Sequence, residues 1–512
     1  MQSGVREMCI AVGLASLATV AGAQGQPEST GWGKAAPAAA STTWATEAAP
    51  SNSSTSASPA QTEEGTSVAA PSQSMKAEAP KPAPTGFERL SDDWPRWIKV
   101  GVQYRGRAEQ TDGLAAVKGR DDAYYLNRVR LDSTFIVKPW ASVFTQVQDA
   151  QTFGYALAAP PISMTNTFDL RQAYLDVQQP PASAREPEHR RTRPPASAGP
   201  TGLSLRVGRQ ELAFGEQRLI GYADWGNTSR TFDAAQVTVS APRGKVDVFV
   251  ASVVKIEPGR FDRHKTDERL LGASATITAK AMKGTIEPYL FVKDSDAVVG
   301  ELGGAAEAGR VYATGVRMVG ALPSRIDFSV EVVVERGAVA SDDLAAWAGH
   351  YNAGWLVSPS RIKPRLFAEL NEASGDSDPT DGHRGTFDQL YPTNHGKYGL
   401  VDQMGWRNMR DAVLGFEISP TPKFKVTSAM HRMFLATTSD GLYNAAGVRT
   451  TLNPKASSRD VGTELDIATS YAVSRELTLS AGLGHLTAGN FLVESLQAAS
   501  LWVPYVMWNV RF

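Results

Sequence analysis

The sequence predicts an all-β protein: a single antiparallel transmembrane β-barrel of about eighteen strands, preceded by a signal peptide and a disordered leader. Three observations lead there. The chain closes on Leu501-Trp-Val-Pro-Tyr-Val-Met-Trp-Asn-Val-Arg-Phe512, where Trp502, Pro504, Val506, Trp508, Val510 and Phe512 share one phase and Tyr505, Met507, Asn509 and Arg511 the other. A period-2 strand with its apolar face outward and an aromatic last residue is what the closing strand of a barrel in lipid requires. Beyond residue 97, short turns alternate with long irregular loops, the asymmetry of outer-membrane barrels. After the first two dozen residues, no apolar run approaches the ~20 residues that a membrane helix needs.

Taken in order, residues 1–23 carry Arg6, an apolar run from Cys9, and the small residues Ala21-Gly-Ala23. This is the pattern of a secretory signal peptide with a small-x-small cleavage site. The only cysteine of the chain lies inside it, so the mature protein is expected to have no disulfide and no cysteine metal site. Residues 24–90 are Ala, Pro, Ser, Thr and Glu with almost no large apolar side chains, too little to offset the entropy of ordering. A net charge of −1 gives no reason to expect bulk nucleic-acid binding.

The barrel is expected over 97–512. Short turns are read at Lys138-Pro-Trp140, Ala241-Pro-Arg-Gly-Lys245, Ala281-Met-Lys-Gly284, Leu322-Pro-Ser-Arg325, Ser358-Pro-Ser-Arg361, Ser419-Pro-Thr-Pro-Lys423 and Tyr471-Ala-Val-Ser-Arg475, with 179–202 as an elongated one. Pro and Gly interrupt a central ladder and favour tight turns. Longer connections fall at 151–168, 213–230, 256–268, 294–309, 373–408, 434–458 and 486–500. The strands between are 98–109, 124–137, 141–150, 169–178, 203–212, 232–240, 245–255, 269–280, 285–293, 310–321, 325–335, 345–356, 363–372, 409–418, 423–433, 459–470, 475–485 and 501–512. A barrel of this size leaves an aqueous lumen.

Strand phase then assigns the walls. With Val100, Val102 and Tyr104 toward lipid, Gln103, Arg105, Arg107 and Glu109 face the lumen; Arg128, Arg130 and Asp132 share a face opposite Val129 and Leu131. Arg206 and Arg365 fall on the polar phase of their strands, and an arginine against lipid costs ~2–4 kcal/mol at the midplane, so all of these belong inside. The later wall is more acidic: Asp327, Glu331, Glu369, Glu417, Glu464 and Asp466. Separated basic and acidic strips select charged, hydrated solutes by their field; the same charges would also serve simply to neutralise one another.

The stretch Phe387-Asp-Gln-Leu-Tyr-Pro-Thr-Asn-His-Gly-Lys-Tyr-Gly-Leu-Val-Asp-Gln-Met-Gly-Trp-Arg-Asn408 resembles the bacterial alginate-export family of outer-membrane barrels. Leu205-Arg-Val-Gly-Arg-Gln-Glu-Leu212, Arg218, Asp224-Trp225, Arg230-Thr-Phe-Asp233, Glu369-Leu-Asn-Glu-Ala-Ser-Gly-Asp376 and Asp460-Val-Gly-Thr-Glu-Leu-Asp466 support it. The resemblance implies an eighteen-stranded monomeric barrel in the outer membrane of a Gram-negative bacterium, with an arginine-rich lumen passing an anionic polysaccharide. To that pattern this chain adds the Pro-rich leader, the Arg/Pro-rich insertion at 179–202 and the acidic strip.

The expected function is therefore passive diffusion of an anionic polysaccharide or similar charged solute, without catalysis or cofactor, through a lumen lined by Arg105, Arg107, Arg128, Arg130, Arg206, Arg365, Glu464 and Asp466. Expected partners are outer-membrane lipid, the barrel-assembly machinery through the last strand, and a periplasmic partner for the leader or for 179–202 with its basic run Arg185-Glu-Pro-Glu-His-Arg-Arg-Thr-Arg193. Three alternatives stay open: a porin for small charged nutrients, a barrel hydrolase built on His431, and a structural barrel with a blocked lumen. Asp376-Ser-Asp-Pro-Thr-Asp-Gly382 lacks the spacing and closing glutamate of a calcium loop, and the seven histidines show no paired ligand spacing.

Overall fold

Eighteen long strands hydrogen-bond in sequence order and close on themselves. The computed structural model describes residues 94–113, 119–156, 160–179, 202–257, 259–300, 303 and 305–512. The signal peptide, the leader and the basic run 185–193 lie outside them. The strands are β1 (Ile98–Thr111), β2 (Asp122–Lys138), β3 (Ala141–Phe153), β4 (Asn166–Gln178), β5 (Gly202–Gln210), β6 (Phe232–Ala241), β7 (Gly244–Lys255), β8 (Glu268–Ala279), β9 (Gly284–Val298), β10 (Glu307–Leu322), β11 (Ile326–Val339), β12 (Asp342–Leu356), β13 (Arg365–Ala373), β14 (Met409–Thr421), β15 (Phe424–Leu435), β16 (Asp460–Ala472), β17 (Leu477–Ala488) and β18 (Leu501–Arg511). All neighbours in this order are antiparallel, and β1 pairs with β18 from Gln103↔Arg511 to Glu109↔Tyr505, which removes both sheet edges. Phe512 and Val102 exchange backbone hydrogen bonds at that seam.

Each expected strand has its counterpart, and most run longer than expected. Only 9–11 residues are needed to cross the hydrocarbon, whereas β2 has 17 and β10 has 16. The extra length lies mainly at the long-loop end. Between β11 and β12 the segment expected to be a connection instead continues the ladder down to Val339↔Asp342, turning at Ala340 with φ +55°. A short helix, α1 (Asn490–Leu496), occupies the 486–500 connection and buries Phe491 and Leu492.

The alternation sorts side chains as strand phase demands. Leu414 (61% exposed), Val506 (54%), Val248 and Leu131 point outward, where lipid would cover them, and their neighbours in sequence point in. Trp97, Trp140 and Phe512 sit outward at the short-turn end, Phe153 and Trp502 at the long-loop end, as interfacial aromatics do. The lumen is not simply aqueous. The largest apolar cluster joins Leu212, Leu219 and Ile220 of the β5–β6 loop to Phe387, Leu390, Tyr391, Tyr398, Met404 and Trp406 of the β13–β14 loop. Both loops fold inward, and they decide the shape of the site.

Candidate functional site

The basic wall follows from one hairpin. Pairing of β1 with β2 sets Arg105 opposite Arg128 and Gln103 opposite Arg130, so one phase concentrates four guanidinium groups, counting Arg107, on adjacent strands. All four are at least 95% buried, yet no lipid touches them. What covers them is the β5–β6 loop. Arg105 Nη1 donates to the Asp224 carbonyl at 2.5 Å and its Nη2 to the Trp225 carbonyl at 3.0 Å; Arg107 Nη1 donates to the same Trp225 carbonyl at 2.7 Å. The Arg107 guanidinium also lies over the Trp225 ring, 3.4 Å from its centre, and its Nε pairs with Glu109.

The carboxylate of Asp224 is the centre of this arrangement. Arg128 donates Nη1 to its Oδ1 at 3.0 Å and Nη2 to its Oδ2 at 3.2 Å; Arg130 Nη1 lies 2.9 Å from Oδ1, and Ser229 Oγ donates to Oδ1 at 2.7 Å. Arg130 is itself oriented by Gln148 (2.7 Å). Such two-point grips match planar guanidinium to planar carboxylate. Burial opposes ionisation of Asp224, but the charges of Arg128, Arg130, Arg105 and Arg171 outweigh it and hold the carboxyl well below the usual range. About 30% of the side chain stays accessible, so the clamp opens onto the lumen. The segment is bracketed by two non-glycine residues in the left-handed region, Ala223 (φ +50°) and Ser229 (φ +60°), a strained backbone that the arginine contacts hold in place.

The β13–β14 loop crosses to meet it. Ile220 and Tyr391 form a parallel bridge, with Tyr391 N donating to Leu219 O (2.8 Å), Gly221 N to Tyr391 O (2.9 Å) and Thr393 N to Gln217 O (2.8 Å). His395 stacks on Trp225 at 4.4 Å and 8°, so the indole lies between imidazole and the Arg107 guanidinium. On its other side this loop rests on the acidic wall: Leu400 N donates to Asp466 (3.0 Å) and Val401 N to Glu464 (2.8 Å). Arg218 ties the first loop to the second through Tyr398 (3.0 Å) and to the same wall through Glu369 (3.4 Å). Two loops thus span the lumen from the basic wall to the acidic wall: arginines hold the first by its carbonyls, and carboxylates hold the second by its backbone N–H groups.

A family model described as alginate export matches residues 96–503. The chain belongs to the alginate export family. No curated protein matches it. Among solved structures it is similar to OccAB2 of Acinetobacter baumannii (TM-score 0.52, 9% identity, covering 81% of this chain and 98% of that one). OccK5 (OpdH) of Pseudomonas aeruginosa matches at TM-score 0.52 and 9% identity, and OccK2 (OpdF) of the same organism, solved in complex with glucuronate, at 0.51 and 10%; each covers 81% of this chain and 98% of its own. At such identities the likeness is one of fold.

Within this alginate-export barrel the expected lining residues separate into three groups. Arg105, Arg107, Arg128 and Arg130 come together under the first loop. Arg206 pairs with Asp176 at 2.7 Å and stays 38% exposed; Arg365 pairs with Asp327 at 2.5 Å near the short-turn end, beside Asn352 and Glu417. Neither shares a partner with the four. Glu464 and Asp466 lie beneath the second loop, buried. Both ring nitrogens of His431 face carboxylates, Asp411 at 3.0 Å and Asp466 at 3.6 Å, rather than a hydroxyl. In the acidic loop, Asp376, Asp378 and Asp381 accept local backbone N–H bonds two residues on, as Asx turns. Reading strands alone passed over Asp224, Trp225, Arg171 and Arg218 as site residues. For the three loop residues the signal was a density of aromatic and charged side chains in 213–230 too high for a surface loop; Arg171 stands within the expected strand 169–178.

Proposed function

We propose that this outer-membrane channel passes an anionic, carboxylate-bearing solute by diffusion, with an alginate-like polyuronate as the substrate class. One observation carries the reading: the narrowed lumen already holds a carboxylate, that of Asp224, between Arg128 and Arg130. A wall that binds one carboxylate by two guanidinium groups, with others adjacent, offers a uronate chain the same chemistry at each step. Guanidinium keeps its charge at any physiological pH, and a low-dielectric channel wall focuses its field on the passing anion. Nothing in this transport calls for a bond to be made or broken.

The test is conductance of the protein in planar bilayers with and without added polyuronate. Reversible blockade by polyuronate but not by a neutral dextran of equal length is the expected result; indifference to both removes the polymer reading. A second reading, a channel for single uronate-type sugars, draws support from the fold relative OccK2, which was solved with glucuronate. It expects competition by monomeric glucuronate as strong as by polymer, so blockade as a function of chain length separates the two.

A further inference from the structure

We propose that three lipid-facing arginines at the long-loop end, Arg269, Arg310 and Arg336, bind the phosphoryl groups of a phosphorylated glycolipid in the outer leaflet. The proposal rests on the reading of the long-loop end as the outward one.

The strand register places these side chains together. Arg269 of β8 and Arg310 of β10 flank Asp294 of β9 in a single row, since Asp294 is the partner of both. Arg336 of β11 is the cross-strand partner of Tyr312, two residues below Arg310, and so lies one step deeper toward the membrane. Their phase is the outward one: Leu271, Tyr312 and Val334, each two residues away on the same strand, are exposed on the lipid side, as is Leu290, four residues from Asp294. All three arginines are themselves exposed, Arg310 with 57% of its side chain accessible.

The charges do not cancel locally. Arg310 gives Nε and Nη2 to Asp294 at 2.5 and 3.0 Å and also hydrogen-bonds the Tyr312 hydroxyl, whereas Arg336 gives only Nη1, to its neighbouring Glu335 carbonyl at 2.6 Å. One carboxylate thus stands among three guanidinium groups. Of the other nearby acids, Asp267, Asp296 and Glu307 are two or three residues further toward the rim, above the row, and Asp343 of β12 lies in the row itself, across Ala338 from Arg310. By contrast the outward Arg432 of β15 is held at both ends by Asp460, at 2.5 and 2.8 Å. An arginine facing lipid is tolerated near the interface and not at the midplane, and what lies there is headgroup. A phosphoryl group offers the paired oxygens that guanidinium takes bidentately, and a cluster of basic residues at a membrane surface is a general means of recognising such lipids.

The test uses the full chain purified in nonionic detergent and titrated with bisphosphorylated lipid A, the same lipid with both phosphates removed, and phosphatidylglycerol, with bound lipid read by native mass spectrometry. The expected result is half-occupancy by the bisphosphorylated form at a roughly tenfold lower concentration than by either other lipid, with the Arg269→Gln/Arg310→Gln/Arg336→Gln variant losing that preference. Heat-modifiable mobility on gels reports that the variant is folded; if it is not, Arg336→Gln alone serves, with at least a threefold loss expected. Equal retention of the phosphorylated and phosphate-free lipids, equal retention of phosphatidylglycerol, or a folded variant that keeps the preference each overturns the proposal. Polyuronate blockade measured on the same variants separates this outcome from the transport reading: the outward arginines leave blockade unchanged whether or not they bind lipid.

Discussion

Arg128 grips the carboxylate of Asp224 with both of its terminal nitrogens, across 96 residues of sequence, and that grip fastens a loop to the wall of the lumen. The arginines of the wall are therefore not bare. Their charge is shared between a fixed carboxylate and whatever anion enters, so substitution of Asp224 is the most direct probe of the site. In Asp224→Asn the anion-to-cation permeability ratio should rise by roughly 25-fold, since a unit charge about 4 Å away in water is worth ~1 kcal/mol, with opposite sign for anion and cation. Reversal potentials in a salt gradient measure it, and an unchanged ratio would show that ions do not pass near this carboxylate.

Replacement of Arg128 and Arg130 together by Ser should act in the opposite sense, lowering anion selectivity while barrel assembly and heat-modifiable mobility persist. Strand pairing, not these side chains, closes the barrel. A double variant that fails to fold, with conductance unaffected in whatever survives, would assign both arginines a purely structural part.

Trp225 is 97% buried between Arg107, His395 and Tyr505. Truncating a buried tryptophan to alanine typically costs ~3–5 kcal/mol, and here the loss falls on the loop rather than on the barrel. Trp225→Ala should raise single-channel conductance and make 213–230 accessible to protease, with the melting of the barrel nearly unmoved. A fall in barrel melting with the loop still protected would contradict it.

The β7–β8 loop should loosen as pH rises. Burial, with Asp169 close by, pushes Asp262 up to about 6, although Asn166 and the Glu257 backbone N–H donate to it. A raised carboxyl contributes stability that is complete below its unfolded value of about 3.9 and is lost as pH climbs through 6. Backbone hydrogen exchange in 256–267 should therefore be slower at pH 5 than at pH 7.5, after correction for intrinsic rates, and Asp262→Asn should abolish the difference. Asp224, held low, behaves the other way: its contribution is present throughout pH 5–8.

The orientation has its own check. With the chain's termini and short turns on the periplasmic side, a single cysteine at Asp378 should be labelled on intact cells by an impermeant maleimide, and one at Arg243 should not. The reverse pattern would invert the topology and with it the assignment of the outward arginines.

Much of this protein was legible from residues a few positions apart. The period-2 alternation of Arg128, Arg130 and Asp132 against Val129 and Leu131 sets which side faces lipid, because burying a guanidinium there is costly whatever the rest of the chain does. The Pro- and Gly-bearing turns located the strand ends for the same local reason. The partners of those arginines were not legible. The bonds from Arg105 to the carbonyls of Asp224 and Trp225 join residues 119 and 120 positions apart and depend on loop backbone turned at Ala223 and Ser229, which no periodicity reports. Sequence by itself determined a barrel with a charged interior. Only the tertiary structure decided that two loops fold into it, because their apolar side chains find cover there and their backbone polar groups find partners among the wall's own charges.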